Sequence, residues 1–174
     1  AWNDLLPVSG TSELTQYGDY VYIVDKSADR VVKFDPVNRA AIGELSVGSG
    51  KAPNSIVFVS STKAYVTLSD AAEIAIVNPT DMSVNGTIDI SAMADEDGDP
   101  DQGHGVIKGD NLYVALRRSS GRKLTDHSSL AVIDIKTDTV VKEIILNTNG
   151  IAGSSMLSIG GRVSGESRVS GDVY

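Results

Sequence analysis

The chain has 174 residues, 41% of them hydrophobic and 22% charged, which is enough for one domain with a buried core and too apolar for a disordered segment. A net charge of −8 argues against nucleic acid as a partner and against adhesion to anionic membranes. The absence of Cys excludes disulfides, thiolate metal sites and Cys nucleophiles, and the apolar runs are too short for membrane insertion.

In chain order, the segments richest in β-branched and aromatic residues are DYVYIVD (Asp19–Asp25), VVKFDP (Val31–Pro36), KAYVTLSD (Lys63–Asp70), IAIVNP (Ile74–Pro79), NLYVALR (Asn111–Arg117) and LAVIDI (Leu130–Ile135). Gly, Asp, Asn and Ser bound them, which predicts short strands. Tyr22, Tyr65 and Tyr113 stand in equivalent contexts. The segments DPVNRAAIGEL (Asp35–Leu45), NPTDMSVNGTI (Asn78–Ile88) and DIKTDTVVKEI (Asp134–Ile144) align without a gap. Asp35-Pro36 and Asn78-Pro79 start turns, because the Asp or Asn side chain bonds the backbone two residues on and Pro presets φ. No window holds a helical period.

A repeat of roughly 40–50 residues with four strands is a propeller blade. The reading is therefore an all-β chain, a β-propeller of four-stranded antiparallel blades with three full repeats over about 12–53, 54–102 and 103–150. A fourth starts over 151–174, where SGESRVSGDVY (Ser164–Tyr174) echoes Ser9–Tyr22. A face-packed β-sandwich is the rival fold. Three blades leave an apolar blade face and strand edges uncovered. The chain is thus expected to be the N-terminal part of a larger propeller, or one of several copies that complete a ring. The repeated tyrosines belong to core or inter-blade packing, with each hydroxyl reaching a partner.

Two insertions break the repeat length: Ser91–Gly105, which is acidic, and Arg117–Ser129, which is basic. Alternating strand direction puts both on one face of the third blade, and functional residues concentrate on loops held by a rigid scaffold. Asp95, Asp97, Asp99 and Asp101 alternate along the first insertion, as in loops that wrap Ca²⁺ in hard oxygens, although Pro100 stands where an EF-hand needs Gly. Ca²⁺ is the one cofactor the sequence raises. His104 and His127, one in each insertion, are candidates for a two-His site with a carboxylate. Arg117 and Arg118 can grip a carboxylate or phosphate. Residues preceding the first strand of each repeat, Ser12, Asn54, His104 and Arg168, would point toward a central channel. No hydrolase, metalloprotease or phosphate-loop motif is present, and no catalytic residue is assigned.

Ala64-Tyr65-Val66-Thr67, followed by Leu68 where Asn is the family's letter, resembles the signature of the YVTN family of β-propeller repeats, as does Asp134 followed by Thr137 and Val140-Val141. The resemblance covers roughly Leu14 to Leu146. It implies an exported protein, at the cell surface, extracellular or periplasmic; the leading functional expectation is a non-enzymatic binding or structural scaffold presenting the third-blade loops to a protein, glycan or small-molecule partner. Propellers similar to this one include Ca²⁺-dependent lactonases and esterases and periplasmic dehydrogenase subunits, so an enzyme with its site at the central channel stands as the alternative. A subunit of an extracellular assembly, pairing through exposed edges, is a third.

Overall fold

The computed structural model describes residues 8–120, 123–124 and 127–146. The strands β1 (Thr11–Tyr17), β2 (Tyr20–Asp25), β3 (Arg30–Asp35) and β4 (Ala40–Ser46) pair in chain order as one antiparallel sheet. The strands β5 (Pro53–Ser60), β6 (Lys63–Leu68), β7 (Glu73–Asn78) and β8 (Ser83–Asp89) form a second sheet in the same way. In the third, β9 (Gln102–Lys108) and β10 (Asn111–Leu116) join β13 (Ser129–Asp134) and β14 (Thr139–Ile145). Between β10 and β13 the second insertion is not loop throughout: it folds a small hairpin of β11 (Ser119–Ser120) and β12 (Lys123–Leu124). Among the described residues there are thus three four-stranded antiparallel blades, an incomplete propeller. The proposed start of a fourth, 151–174, lies outside the described residues, as does Arg168.

The turn chemistry accounts for the equal spacing of the repeats. The Asp35 carboxylate accepts the N–H of Val37 at 2.8 Å and of Asn38 at 3.1 Å. Asn78 accepts from Thr80 at 3.0 Å, and Asp134 from Lys136 at 2.7 Å. The chain then turns through a residue in the left-handed region, Arg39, Met82 and Asp138 in successive blades, before the last strand begins. One local solution, an Asx turn followed by a positive φ, is used three times.

Period-2 alternation sends neighbouring side chains to opposite faces of each sheet. Tyr22, Val24, Val31 and Leu45 of the first blade pack against Ile56, Ala64, Val66 and Val77 of the second. The other face of the second blade presents Tyr65, Ile74 and Ile88 to Leu112, Val114, Ala131 and Ile133 of the third. The core therefore lies in the two seams between blades. Close approach at the second seam requires Gly105: a Cβ there would stand 2.9 Å from Val57 Cγ2 and 3.2 Å from Leu112 Cδ1.

Polar bridges cross each seam at repeated positions. The Glu13 carboxylate of β1 accepts the Ile56 N–H of β5 at 2.8 Å, and the Ser55 hydroxyl of β5 accepts the Gly105 N–H of β9 at 3.2 Å. Farther out, the Tyr22 hydroxyl donates to the Pro79 carbonyl at 3.4 Å. The Tyr65 hydroxyl donates to the equivalent carbonyl, Ile135, at 3.4 Å and also to Asp138. Burial, together with the Asp138 carboxylate, pushes the Tyr65 phenol well above its ordinary value. Tyr22 and Tyr65 pack between blades, as their place in the strands predicts; Tyr113 belongs to neither seam.

Candidate functional site

The ends of the inner strands and the loops beside them meet on one face of the blade stack. Lys26 comes from the 3-10 turn Lys26–Ala28 that follows β2. The linker to the second blade is fixed by Asp29, whose carboxylate accepts the Gly50 N–H at 2.7 Å and the Ala52 N–H at 2.8 Å. This places Asn54 near the start of β5. Ser69, just past β6, donates its N–H to the Ala52 carbonyl at 2.9 Å.

The third blade repeats the arrangement. Arg117 donates its N–H to Asp101 at 3.2 Å and Arg118 to Pro100 at 3.3 Å, so the two insertions meet, on the same face. The Arg117 guanidinium also reaches the Asp101 carboxylate at 3.3 Å. Ala52 and Asp101, at equivalent positions just before β5 and β9, both take a positive φ, 49° and 50°.

Between these elements lies a cleft of about 100 Å³. Lys26 of the first blade, Asn54 and Ser69 of the second, and Asp101, Gln102, Gly103 and Arg117 of the third line it. All three blades contribute. Two cations and one carboxylate, the latter partly spent on Arg117, leave the cleft locally positive on a chain of net charge −8. The Gln102 side chain is buried and fixed: its Nε2 donates to the Ala71 carbonyl at 2.8 Å and the Glu73 carbonyl at 2.7 Å, and its Oε1 has no partner among the described residues. Pockets for drug-sized molecules or cofactors run to about 300–1,000 Å³. This cleft is the size of one functional group, such as a carboxylate or a sugar hydroxyl pair.

Of the residues singled out in the sequence, Asn54, Arg117 and Asp101 come together here. Arg118 is elsewhere: buried at 7% exposure, it donates through Nε to the Met93 carbonyl at 3.0 Å and pairs with Glu143 at 2.6 Å. Its role is to tie the acidic insertion to the outer strands of its own blade. His104 is not in a loop, because β9 starts two residues before it, and its Nδ1 is buried without a partner among the described residues. His127 is exposed in the second insertion. Among the described residues no three His, Asp or Glu side chains gather as ligands for a metal ion, so neither the two-His set nor Asp95, Asp97, Asp99 and Asp101 converges on a point. The acidic turn is held by its own carboxylates instead: Asp95 accepts the Asp97 N–H at 3.3 Å and Asp99 accepts the Asp101 N–H at 3.0 Å. A hydrogen bond from Asp97 to Asp95 holds the Asp97 carboxyl above its ordinary value. Burial, and then the neighbouring carboxylates, do the same to Asp99.

Lys26, Ser69, Gln102 and Gly103 carried no signal in the sequence. Lys26 and Ser69 share the repeat position of Arg117, and Gly103 that of Asn54, but that they line one cleft follows only from the stacking of the blades.

No family model matches the chain, and no curated protein matches it. Among solved structures it is similar to hydrazine synthase of Kuenenia stuttgartiensis, at 22% identity and a TM-score of 0.59 over 76% of this chain. It is similar to apo AztD of Citrobacter koseri, at 18% identity and a TM-score of 0.58 over 84% of this chain. It is also similar to a catalytically inactive virginiamycin B lyase of Staphylococcus aureus solved with quinupristin, at 14% identity and a TM-score of 0.60 over 82% of this chain. The chain spans 36%, 37% and 44% of those three chains, respectively. These are β-propeller-type proteins, and at such identities the likeness shows the fold alone.

Proposed function

We propose that this chain is a wedge of a larger YVTN-type propeller, exported to the cell surface or periplasm, that binds its partner without catalysis through the cleft shared by its three blades. The observation that carries this reading is the convergence of Lys26, Asn54 and Arg117, from three different blades, on one small polar cleft. The chemistry suits the carboxylate of a small molecule or of an exposed acidic side chain. Two cations attract it, and Asn54 and Ser69 offer neutral donors at close quarters. Arg117 is half-exposed and can change partners at little cost.

The test is a titration of the full chain with acetate and succinate, followed by amide chemical shifts. Shifts confined to Asn54, Ser69, Gln102 and Gly103, and lost in Lys26→Ala and Arg117→Ala, support the reading. Absence of localised shifts with both probes refutes it.

A second reading, an enzyme working at the central channel, rests on a synthase and a lyase being among the similar structures. It calls for an acid, base or nucleophile in the cleft mouth, and Asp101 is the one carboxylate there.

A further inference from the structure

Among the described residues that line the cleft, Lys26 and Arg117 are cations and Asp101 is the one carboxylate. A site built only for an anion gains nothing from Asp101, which repels the ligand and competes with it for Arg117. The backbone nevertheless holds Asp101 in place. It adopts a φ of 50°, its N–H donates to Asp99 at 3.0 Å, and its carbonyl accepts the Arg117 N–H at 3.2 Å. Its carboxylate meets the half-exposed Arg117 guanidinium at 3.3 Å, longer than the roughly 2.7–2.9 Å of a strong charge-assisted bond. Such a pair can exchange partners. Lys26, among the described residues, forms no ion pair at all.

Gln102, next to Asp101 and lining the same cleft, adds a second acceptor. Its amide cannot be turned over, because Nε2 already faces the carbonyls of Ala71 and Glu73. Oε1 is therefore the acceptor end, and it lacks a donor among the described residues. A buried acceptor in that state is costly, and a ligand that brings a donor relieves the cost. The chain as a whole carries a charge of −8, which repels a free anion and leaves a zwitterion unaffected at long range.

We propose that the cleft takes the α-amino carboxylate head group of a free amino acid. The carboxylate lies against Lys26 and Arg117, and the ammonium against Asp101 and Gln102. One long ion pair, Arg117 with Asp101, is exchanged for two. This deepens the carboxylate reading of the cleft and rests on it.

The experiment is a titration of the full chain with acetate and with glycine, the smallest group carrying both charges, at pH 7 and followed by amide chemical shifts. Glycine is expected to bind at least about fivefold more tightly than acetate, with shifts at Asn54, Ser69, Gln102 and Gly103. Asp101→Asn gives the decisive comparison, since Asn tolerates the same left-handed backbone. The variant is expected to bind glycine more weakly than the parent chain and acetate more tightly. Glycine binding no tighter than acetate, or an Asp101→Asn variant that shifts both affinities in the same direction, overturns the zwitterion proposal while acetate binding keeps the carboxylate reading. Binding of neither probe overturns both.

Discussion

The Glu13 carboxylate accepts the Ile56 N–H across the first seam at 2.8 Å. Glu13 is not at an ion-pair position; it ends a backbone donor that the inner edge of the second blade would otherwise leave bare. Removing one partner of such a bond costs the desolvation of the other. Glu13→Ala is expected to destabilise the chain by about 1–3 kcal/mol, and Glu13→Gln, which keeps an acceptor oxygen, by less than about 1 kcal/mol. Urea unfolding midpoints at neutral pH check both.

Asp25 ties the entry of the first blade to its sheet. Its buried carboxylate accepts the Ser9 N–H at 3.1 Å, the Gly10 N–H at 3.0 Å and the Ser9 hydroxyl at 3.0 Å, and Arg30 lies at 3.3 Å. Burial pushes this carboxyl up, but the donors of Ser9, Gly10 and Arg30 outweigh it and hold the group below its ordinary value. A folded-state pKa below the unfolded one gives stability that is present above about pH 3.9 and lost as pH falls through the folded value. The turn carboxylates Asp35 and Asp134, lowered by N–H donors, add to the same acid limb. Asp25→Asn is expected to flatten that limb and to cost about 1–3 kcal/mol at pH 7, read from unfolding free energies between pH 2 and 7.

Asp99 has the opposite sign. Its carboxyl is raised by burial and by Asp101, Asp70 and Asp95, so its contribution is present below the unfolded pKa and lost as pH rises through the folded one. Asp99→Asn keeps an oxygen for the Asp101 N–H and removes the repelled charge. It is expected to stabilise the chain at pH 7 by a few tenths of a kcal/mol and to leave stability at pH 3 unchanged. Thermal melts at the two pH values measure the difference.

Gly105 is fixed by space, not by backbone angle. Its Cβ would press on Val57 across the second seam and on Leu112 of its own blade, whereas at Gly86 the nearest atom, Ile76 Cδ1, is 4.0 Å away. Gly105→Ala is expected to cost about 1–3 kcal/mol and Gly86→Ala to be nearly neutral. Calorimetry on the two variants separates seam crowding from any general preference for Gly in strands.

The blades were legible because each repeat is a local unit: Asx turns, β-branched strands and the tyrosine of the second strand are all written within a few dozen residues. Asn54 and Arg117 were legible as loop-end residues of the repeat. What escaped depends on how blades stack. Lys26 reaches the cleft only because the first and second blades are neighbours. Arg118 looks the same as Arg117 in sequence, yet a single residue step, with a positive φ of 54°, sends it into a buried pair with Glu143. The inner-seam acceptors Glu13 and Ser55 share a position but no chemistry beyond an acceptor atom, so residue type alone gives no sign of their common role. The alternating carboxylates read as a cation loop because spacing is visible in sequence; convergence is not.

Three sheets standing side by side, first against second and second against third, place two amides beside specified side chains. An ¹⁵N-edited nuclear Overhauser spectrum of the full chain tests that order directly. Cross-peaks from the Ile56 amide to the Glu13 side chain, and from the Gly105 amide to the Ser55 β protons, are the expected result. Cross-peaks that join the first sheet to the third face to face, with none across either seam, would contradict the propeller and the cleft built on it.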